Sequence, residues 1–200
     1  MRKIQRRNWC DVMRTLVVNL FAGPGAGKTT CAWEIASELK KKGIVTEYVP
    51  EYAKELVWDE THEALADQEG IFEEQTHRIN RLIGKVDVIV TDSPILFSEI
   101  YGKNNSDNFR ECIWREHNSH YNFNLFINRG SRFETQGRLH NLEESKEIDG
   151  QIKKLLDEND VYYGNYYYKT VPVIINNIVK TLNRIQAEQE DFEDDEDMEL

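Results

Sequence analysis

Long apolar runs, paired cysteines and excess basic charge are all missing from this 200-residue chain. No apolar stretch approaches the ~20 residues that a membrane-spanning helix needs, so we expect no transmembrane segment. The Arg-rich N-terminus lacks the apolar core of a secretory signal peptide. The three cysteines are odd in number and have no Cys-x-x-Cys spacing, which argues against a disulfide framework and a zinc site. These absences favour a protein of the reducing cytoplasm.

Acidic charge is concentrated at one end of the chain. The net charge is −11, and residues 190–200 hold eight acids and no base, so residues 1–189 carry only −3. We expect residues 190–200 to form a disordered acidic tail and residues 1–14, with five bases and one acid, a basic N-terminal extension. The mildly acidic body argues against a general nucleic-acid binder, because binding phosphates requires a basic surface.

Strand and helix patterns alternate along residues 15–189. The predicted strands are Thr15–Phe21, Val45–Val49, Val86–Thr91, Phe123–Asn128 and Val171–Ile175. The predicted helices cover 29–42, 51–58, 68–82, 95–101, 108–119, 143–159 and 177–189. We expect the tyrosine-rich residues 162–168 to be a surface turn. The alternation predicts one α/β domain with a parallel sheet and right-handed crossovers.

A glycine-rich loop joins the first predicted strand to the first predicted helix. Its sequence, Ala-Gly-Pro-Gly-Ala-Gly-Lys-Thr at 22–29, matches the phosphate-loop pattern G-x-x-x-x-G-K-[ST] except that Ala22 replaces the first glycine. Glycines let successive backbone N–H groups point inward and form an anion site at a helix N-terminus. The predicted nucleotide-binding residues are Gly23, Pro24, Gly25, Ala26, Gly27, Lys28, Thr29 and Thr30.

The chemistry of the loop side chains predicts ATP and Mg²⁺ as ligands. Lys28 is expected to reach the β- and γ-phosphates, Thr29 to ligate Mg²⁺ and Thr30 to contact the α-phosphate. The loop indicates binding of a nucleoside triphosphate. By itself it does not choose between a kinase, an ATPase and a GTPase.

Two acids follow predicted strands at the edge where parallel strands meet a ligand. Asp92, after the third strand, can hold Mg²⁺ through water, and no second acid follows it as in motor ATPases. Glu51, after the second strand, can accept a proton from an attacking hydroxyl. The alternatives are that Asp92 caps the next helix and that Glu51 is only an acid in the first turn of a helix, where it interacts favourably with the helix dipole.

Three arginines occupy a polar stretch after the fourth strand. Arg129, Arg132 and Arg138 suit a lid over about 129–142 that excludes water and stabilises the transferring phosphoryl group. We assign Arg129 and Arg132 to catalysis and Arg138 to nucleotide binding. The alternative is that all three are ordinary surface arginines.

The order of these motifs resembles that of nucleoside-type P-loop kinases. These include the deoxynucleoside kinases and the ribosylnicotinamide-kinase-like P-loop proteins often labelled as AAA-type ATPases. Pro50 and Glu51 match the Pro-Glu segment of the deoxynucleoside kinases, which implies that Glu51 is the catalytic base. Residues 72–76, Phe-Glu-Glu-Gln-Thr, resemble their Phe-x-Gln-Thr stretch with one extra residue, which implies that Gln75 contacts the substrate.

The end of the third strand departs from the deoxynucleoside kinases. It contains Thr91, Asp92 and Ser93 where those kinases have Glu-Arg-Ser, and Asp92 is closer to the ribosylnicotinamide-like kinases. The resemblance covers roughly residues 15–180. It implies a three-layer P-loop NTPase fold in which a five-stranded parallel sheet of order 2-3-1-4-5 has helices on both faces.

These observations predict an ATP- and Mg²⁺-dependent phosphotransferase acting on a nucleoside- or nucleotide-like small molecule. One alternative is a kinase acting on a nucleic-acid hydroxyl, at a strand end or on a modified base such as a hydroxymethyl pyrimidine in DNA. A second alternative is an ATPase module without a phosphoryl acceptor. A homodimer is kept open as an assembly.

Overall fold

The structure, a computed structural model, describes residues 15–102, 104–130 and 141–197. One sheet is built from β1 (Leu16–Phe21), β2 (Thr46–Val49), β3 (Val88–Thr91), β4 (Tyr121–Asn128) and β5 (Gly164–Tyr167). The helices are α1 (Lys28–Lys41), α2 (Tyr52–Trp58), α3 (His62–Ala66), α4 (Gln68–Asn80), α5 (Phe97–Tyr101), α6 (Asp107–Asn118), α7 (Leu142–Glu158) and α8 (Val171–Asp197). The short helix α3 was not predicted.

The sheet is parallel throughout, with the strand order β2-β3-β1-β4-β5. This confirms the predicted order. Strand β1 lies at the centre and all six of its residues are buried. A parallel sheet covered on both faces buries its central strand completely, which explains the continuous apolar run in the sequence.

Successive residues of β1 face two separate hydrophobic cores, because side chains alternate along a strand. Leu16, Val18 and Leu20 pack on one face with buried residues of α1 and α8. Val17 and Phe21 pack on the other face with buried residues of α4, α5, α6 and α7. The molecule is therefore a three-layer α/β domain, as predicted.

The predicted fifth strand was placed wrongly. Residues Val171–Ile175 begin α8, and β5 is formed by Gly164–Tyr167, within the segment that was expected to be a surface turn. Strand β5 pairs with β4 from Leu125↔Gly164 to Asn128↔Tyr167. Its residues alternate between partly buried and exposed, which is the pattern of a half-covered edge strand.

Helical spacing explains why the β-branched run at Val171 is not a strand. The buried apolar residues of α8 recur every three or four positions, at Val171, Ile174, Ile175, Ile178, Leu182 and Ile185. Pro172 lies in the first turn, where the missing N–H costs no helical hydrogen bond, whereas in an inner strand it would remove a donor. The β-branched run predicts a strand because five residues are too few to distinguish a buried strand from the start of a helix.

Helix α8 continues to Asp197, so residues 190–197 prolong it, in contrast to the disordered tail predicted from residue 190. The predicted extension over 1–14 and residues 131–140 of the predicted lid lie outside the described residues. Within the described part of the chain, no helix has the length and apolar character required to cross a bilayer.

A buried histidine lies on α6, away from the glycine-rich loop. His117 is 4% exposed and meets the Trp114 ring edge-on, with 6.1 Å between ring centroids. Burial, with a smaller contribution from the neighbouring His120, lowers the pKa of His117 from 6.5 to about 4. The imidazole is therefore mostly neutral in the folded protein once the pH lies well above 4.

His117 should make the protein acid-sensitive. Because the pKa is lower in the folded state, the unfolded chain takes up the proton first, and stability present above pH 6.5 is lost as the pH falls toward 4. We expect His117→Gln to remove this loss. The difference in free energy of unfolding between wild type and His117→Gln should then change by about 3 kcal/mol across this pH range, measured by urea unfolding.

The exposed His77 provides a matched control. The same urea series on His77→Gln measures what a His-to-Gln change does at the surface. A difference for His117→Gln that stays constant from pH 6.5 to pH 4 would show that His117 does not cause acid sensitivity.

Candidate functional site

The glycine-rich loop connects the end of β1 to the first turn of α1. Gly25 and Gly27 have left-handed backbone conformations, with φ of 77° and 94°. Gly27 is the N-cap of α1, and no side chain caps this helix end. The first amides of a helix have no intrahelical acceptor, so the first turn of α1 can offer its N–H groups to an anion.

Close packing explains why glycine is required at position 23. A Cβ there would come within 2.3 Å of the Ser145 carbonyl oxygen, which belongs to the backbone of α7. Ala22, which replaces the first glycine of the phosphate-loop pattern, is completely buried in the core. The departure from the pattern is therefore compatible with the loop, because the close approach occurs one residue later.

Lys28 lies over the loop and is only 7% exposed. Its ammonium donates hydrogen bonds to the carbonyl oxygens of Ala22, at 2.7 Å, and Gly23, at 3.2 Å. The nitrogen is 5.5 Å from the centroid of the Phe97 ring. The ammonium is thus held beside the loop, where an incoming phosphate would meet it.

The predicted Mg²⁺ residues are in direct contact. The Thr29 hydroxyl donates to Asp92 Oδ2 at 2.5 Å, and Asp92 is 1% exposed. A hydroxyl and a carboxylate are hard oxygen donors of the kind that Mg²⁺ prefers. The pair fits a Mg²⁺ site, with Thr30 exposed on the next position of α1.

Tyr48, on β2, was not predicted as part of the site. Its hydroxyl donates to Asp92 Oδ1 at 2.8 Å. Burial, and then the charge of Asp92, raises the pKa of Tyr48 well above its ordinary value. The phenol therefore stays protonated and holds the carboxylate as a donor, in the way that outer partners orient metal-binding groups.

Glu51 and Gln75 meet at the start of α2. Glu51 is the N-cap of α2, with φ −68° and ψ 115°, and is partly buried. Gln75, 4% exposed, accepts from the Tyr52 amide at 3.1 Å and donates to the Pro50 carbonyl at 3.3 Å. The Gln75 amide thus binds the backbone on both sides of Glu51, and its predicted contact with a substrate stays a prediction.

A second side chain of α4 holds the same segment. Arg78, one turn after Gln75, donates to both carboxylate oxygens of Glu55 at 2.7 and 2.8 Å and to Glu74 at 2.7 Å. Its guanidinium also covers the Tyr52 ring, 4.8 Å from the centroid. Helix α4 therefore fixes the start of α2 through two neighbouring residues of one face.

A cavity of about 410 Å³ lies beside the loop. Pro24, Lys28, Glu51 and Gln75 contribute to its wall, so the glycine-rich loop and the segment around Glu51 share one space. The remaining wall is mainly apolar: Ala53, Val57, Leu65, Ile71, Phe72, Pro94, Ile95, Phe97 and Tyr101, with Lys54, Gln68, Ser93 and Ser98 as further polar residues.

Arg129 contacts the loop from the end of β4. Its guanidinium donates to the Pro24 carbonyl at 2.7 Å, to Asp149 at 2.5 Å and to Ser145 on α7. Asp149 in turn accepts from the Gly23 amide at 2.5 Å. Ser145 and Asp149 were not among the predicted site residues. Their spacing of four residues, on the face of α7 that carries Ile148, was the available signal.

The other two predicted lid arginines, Arg132 and Arg138, lie outside the described residues. The structure thus places Lys28 and Glu51 on the wall of one cavity, Thr29 in contact with Asp92 at the start of α1, and Arg129 in contact with the loop at Pro24.

Comparison with known proteins agrees with this geometry. The family model described as "AAA domain" matches residues 17–171, which include the loop and, apart from Leu16, all five strands. The chain belongs to the AAA domain family. The match and the loop geometry together identify a nucleotide-binding P-loop domain. No curated protein matches the chain significantly.

Solved structures resemble the chain at low sequence identity. The APS kinase CysC of Mycobacterium tuberculosis, in complex with AMPPNP and APS, is 12% identical over 86% of this chain and 99% of that chain, with a TM-score of 0.47. A cysteine-to-alanine mutant of that kinase is 18% identical over 74% and 99%, with a TM-score of 0.38. Deoxyadenosine kinase from M. mycoides, with the products dCMP and dCDP bound, is 19% identical over 84% and 99%, with a TM-score of 0.49. At these identities the likeness concerns the fold alone.

Tyr48→Phe should weaken Mg²⁺-dependent nucleotide binding. The change removes the O–H that donates to Asp92 and keeps the ring that packs edge-on against Trp33. We expect the Mg²⁺ concentration for half-maximal ATP binding to rise about tenfold, because hydrogen bonds to charged groups contribute ~1.5–3 kcal/mol. Calorimetric ATP titrations over a range of Mg²⁺ concentrations measure this.

Tyr163→Phe is the control. Tyr163 lies just before β5 and its hydroxyl donates to Asp157 of α7, so the change removes a similar hydrogen bond to a carboxylate. It should leave the Mg²⁺ dependence unchanged. The same Mg²⁺ dependence in Tyr48→Phe and wild type would exclude a role for Tyr48 at the metal site.

Proposed function

We propose that the protein is an ATP- and Mg²⁺-dependent phosphotransferase that moves the γ-phosphoryl group to a hydroxyl or phosphate of a nucleoside- or nucleotide-like small molecule. The observation that carries the proposal is the cavity that joins Lys28 of the phosphate loop to Glu51. A space bounded by a phosphate-binding ammonium and a carboxylate has room for an acceptor next to the donor.

On the donor side, the residues bind and orient polyphosphate. The first-turn amides of α1 and the Lys28 ammonium hold the β- and γ-phosphates. The Thr29 hydroxyl and Asp92, which already touch each other, hold Mg²⁺. When bound, Mg²⁺ supplies neutralisation of phosphate charge. Burial of Lys28 and Asp92 strengthens these electrostatic contacts, since water screens them less than at the surface.

On the acceptor side, Glu51 takes the proton. As the acceptor oxygen forms its bond to the γ-phosphorus, the O–H proton passes to the Glu51 carboxylate and the bond from phosphorus to the β-phosphate oxygen breaks, releasing ADP. Gln75 fixes the backbone on both sides of Glu51, so we assign it to positioning this base. Accurate placement matters because most of the catalytic gain in phosphoryl transfer comes from positioning.

The wall of the cavity indicates the class of acceptor. Phe72, Phe97 and Tyr101 provide flat apolar surface, and a few polar groups lie near the loop. Its volume of about 410 Å³ falls in the ~300–1,000 Å³ range of small-molecule sites. A planar ring that carries a hydroxyl near Glu51 suits this space. As lid residues, Arg132 is proposed to stabilise charge on the transferring group and Arg138 to bind the nucleotide.

Label from γ-labelled ATP should be transferred to a small acceptor. We expect transfer within a panel of nucleosides, nucleotides, nicotinamide riboside and DNA to fall on a nucleoside- or nucleotide-like compound. Glu51→Gln should lower the transfer rate by ~10²–10⁴, the usual contribution of a general base, because the amide cannot accept the proton. Thin-layer separation of the labelled products measures both effects.

Glu47→Gln is the matched control, because Glu47 lies on β2 with its carboxylate paired to Lys40 at the surface. It should transfer label at the wild-type rate. Label on DNA alone would identify a nucleic-acid kinase. Label released only as free phosphate would identify an ATPase and exclude both kinase functions.

A further inference from the structure

The guanidinium of Arg129 bridges the phosphate loop and α7. Its Nε–H binds Asp149 Oδ2 at 2.5 Å, one Nη1–H binds the Pro24 carbonyl at 2.7 Å, and Nη2 binds the Ser145 carbonyl at 2.9 Å and hydroxyl at 2.5 Å. Four of the five N–H donors of a guanidinium are used in this way. An arginine that served the transferring phosphoryl group would need these donors for phosphate oxygens.

Two backbone polar groups of the loop are bound by the same cluster. The Gly23 amide donates to Asp149 Oδ1, and the Pro24 carbonyl accepts from Arg129 and from the Ser145 hydroxyl. Ser145 is completely buried, and the side chains of Arg129 and Asp149 are 14% and 18% exposed. The cluster therefore ties the end of β4 and α7 to the loop in a largely water-excluded setting.

The opposite charges of Arg129 and Asp149 affect how well the loop can bind an anion. A lone carboxylate bound to a phosphate-loop amide would repel a polyphosphate, and the repulsion is stronger in a poorly hydrated setting. The Arg129 guanidinium, in contact with Asp149, cancels that charge. Together the two side chains can hold the loop without making it repel its ligand.

We propose that Arg129, Asp149 and Ser145 form a loop brace that positions the phosphate loop for the polyphosphate of ATP. Arg129 is then a positioning residue, which revises its predicted role as a lid arginine acting on the transferring group. In this brace Asp149 accepts the hydrogen bond of the Gly23 amide, and the Ser145 carbonyl occupies the space that a Cβ at position 23 would need. The inference rests on the proposed function only in requiring that the chain binds ATP.

ATP affinity in a double-mutant cycle tests the loop brace. Wild type, Arg129→Met, Asp149→Asn and the double variant are titrated with Mg²⁺-ATP by calorimetry, without an acceptor. Arg129→Met should bind ATP at least about tenfold more weakly, because it leaves the Asp149 charge uncompensated beside the loop. Asp149→Asn should lose about threefold, because the amide oxygen can still accept from Gly23.

The double variant gives the decisive comparison. It should bind ATP more tightly than Arg129→Met, within about fivefold of wild type, because the repelling charge is gone. A purely structural role would instead make it the weakest of the four, since it has lost the most hydrogen bonds. Melting temperatures recorded alongside establish whether each of the four proteins is folded at the titration temperature.

Several results would overturn the inference. A double variant weaker than Arg129→Met would exclude charge cancellation by Arg129. Wild-type ATP affinity in Arg129→Met, with a lower rate of phosphoryl transfer, would assign Arg129 to the transferring group. If Arg129→Met does not fold, the ATP affinities of Asp149→Asn and Ser145→Ala test the loop brace instead. Wild-type affinity in both variants would exclude it.

The exposed pair on α8 provides the matched control. Arg184 and Glu188 lie 3.7 Å apart at the surface, and Arg184→Met and Glu188→Gln should not change ATP affinity. A wild-type protein that does not bind ATP would overturn the proposed function together with this inference. Wild-type binding that the loop-brace variants leave unchanged would overturn the inference alone.

Discussion

The candidate site depends on one change of backbone direction. Gly27 adopts a left-handed conformation, and α1 begins at the next residue without a capping side chain. An L-residue with a Cβ would be strained there, and a capping side chain would occupy the amides that an anion needs. Because the turn is local, it orients the first turn of α1 and the Lys28 side chain together. Every proposed function of the site requires this arrangement.

The parallel sheet brings the other groups to the same loop. Strands β2, β3 and β4 lie on either side of β1, and the residues that follow them include Glu51, Asp92 and Arg129. Each of the three groups is held in place by hydrogen bonds to a residue from another part of the chain. Gln75 binds the backbone around Glu51, Tyr48 binds Asp92, and Arg129 binds α7. The fold thus supplies both the groups and their supports, so little rearrangement is needed on binding.

Local patterns were sufficient for the parts of the molecule that depend on local chemistry. The loop, the alternation of strands and helices and the first four strands follow from short segments, and the family resemblance implied the strand order. The fifth strand was misplaced because the five residues 171–175 are too few to distinguish a buried strand from a helix, and the helical period of α8 becomes clear only over the longer run to Ile185. Contacts such as Gly23 with Asp149 join residues 126 positions apart, and no local pattern encodes them. The roles of the site residues remain predictions.

Calorimetric titration of Mg²⁺-ATP into wild type and Lys28→Met tests the central claim most directly. Methionine keeps most of the volume of the buried side chain and removes only the ammonium, so the fold should persist. Lys40→Met, on the exposed last turn of α1, is the control. The account predicts that wild type and Lys40→Met bind ATP with similar affinity and that Lys28→Met binds at least about 100-fold more weakly, as expected when a buried charge contact is lost. Equal affinity in all three proteins would contradict it.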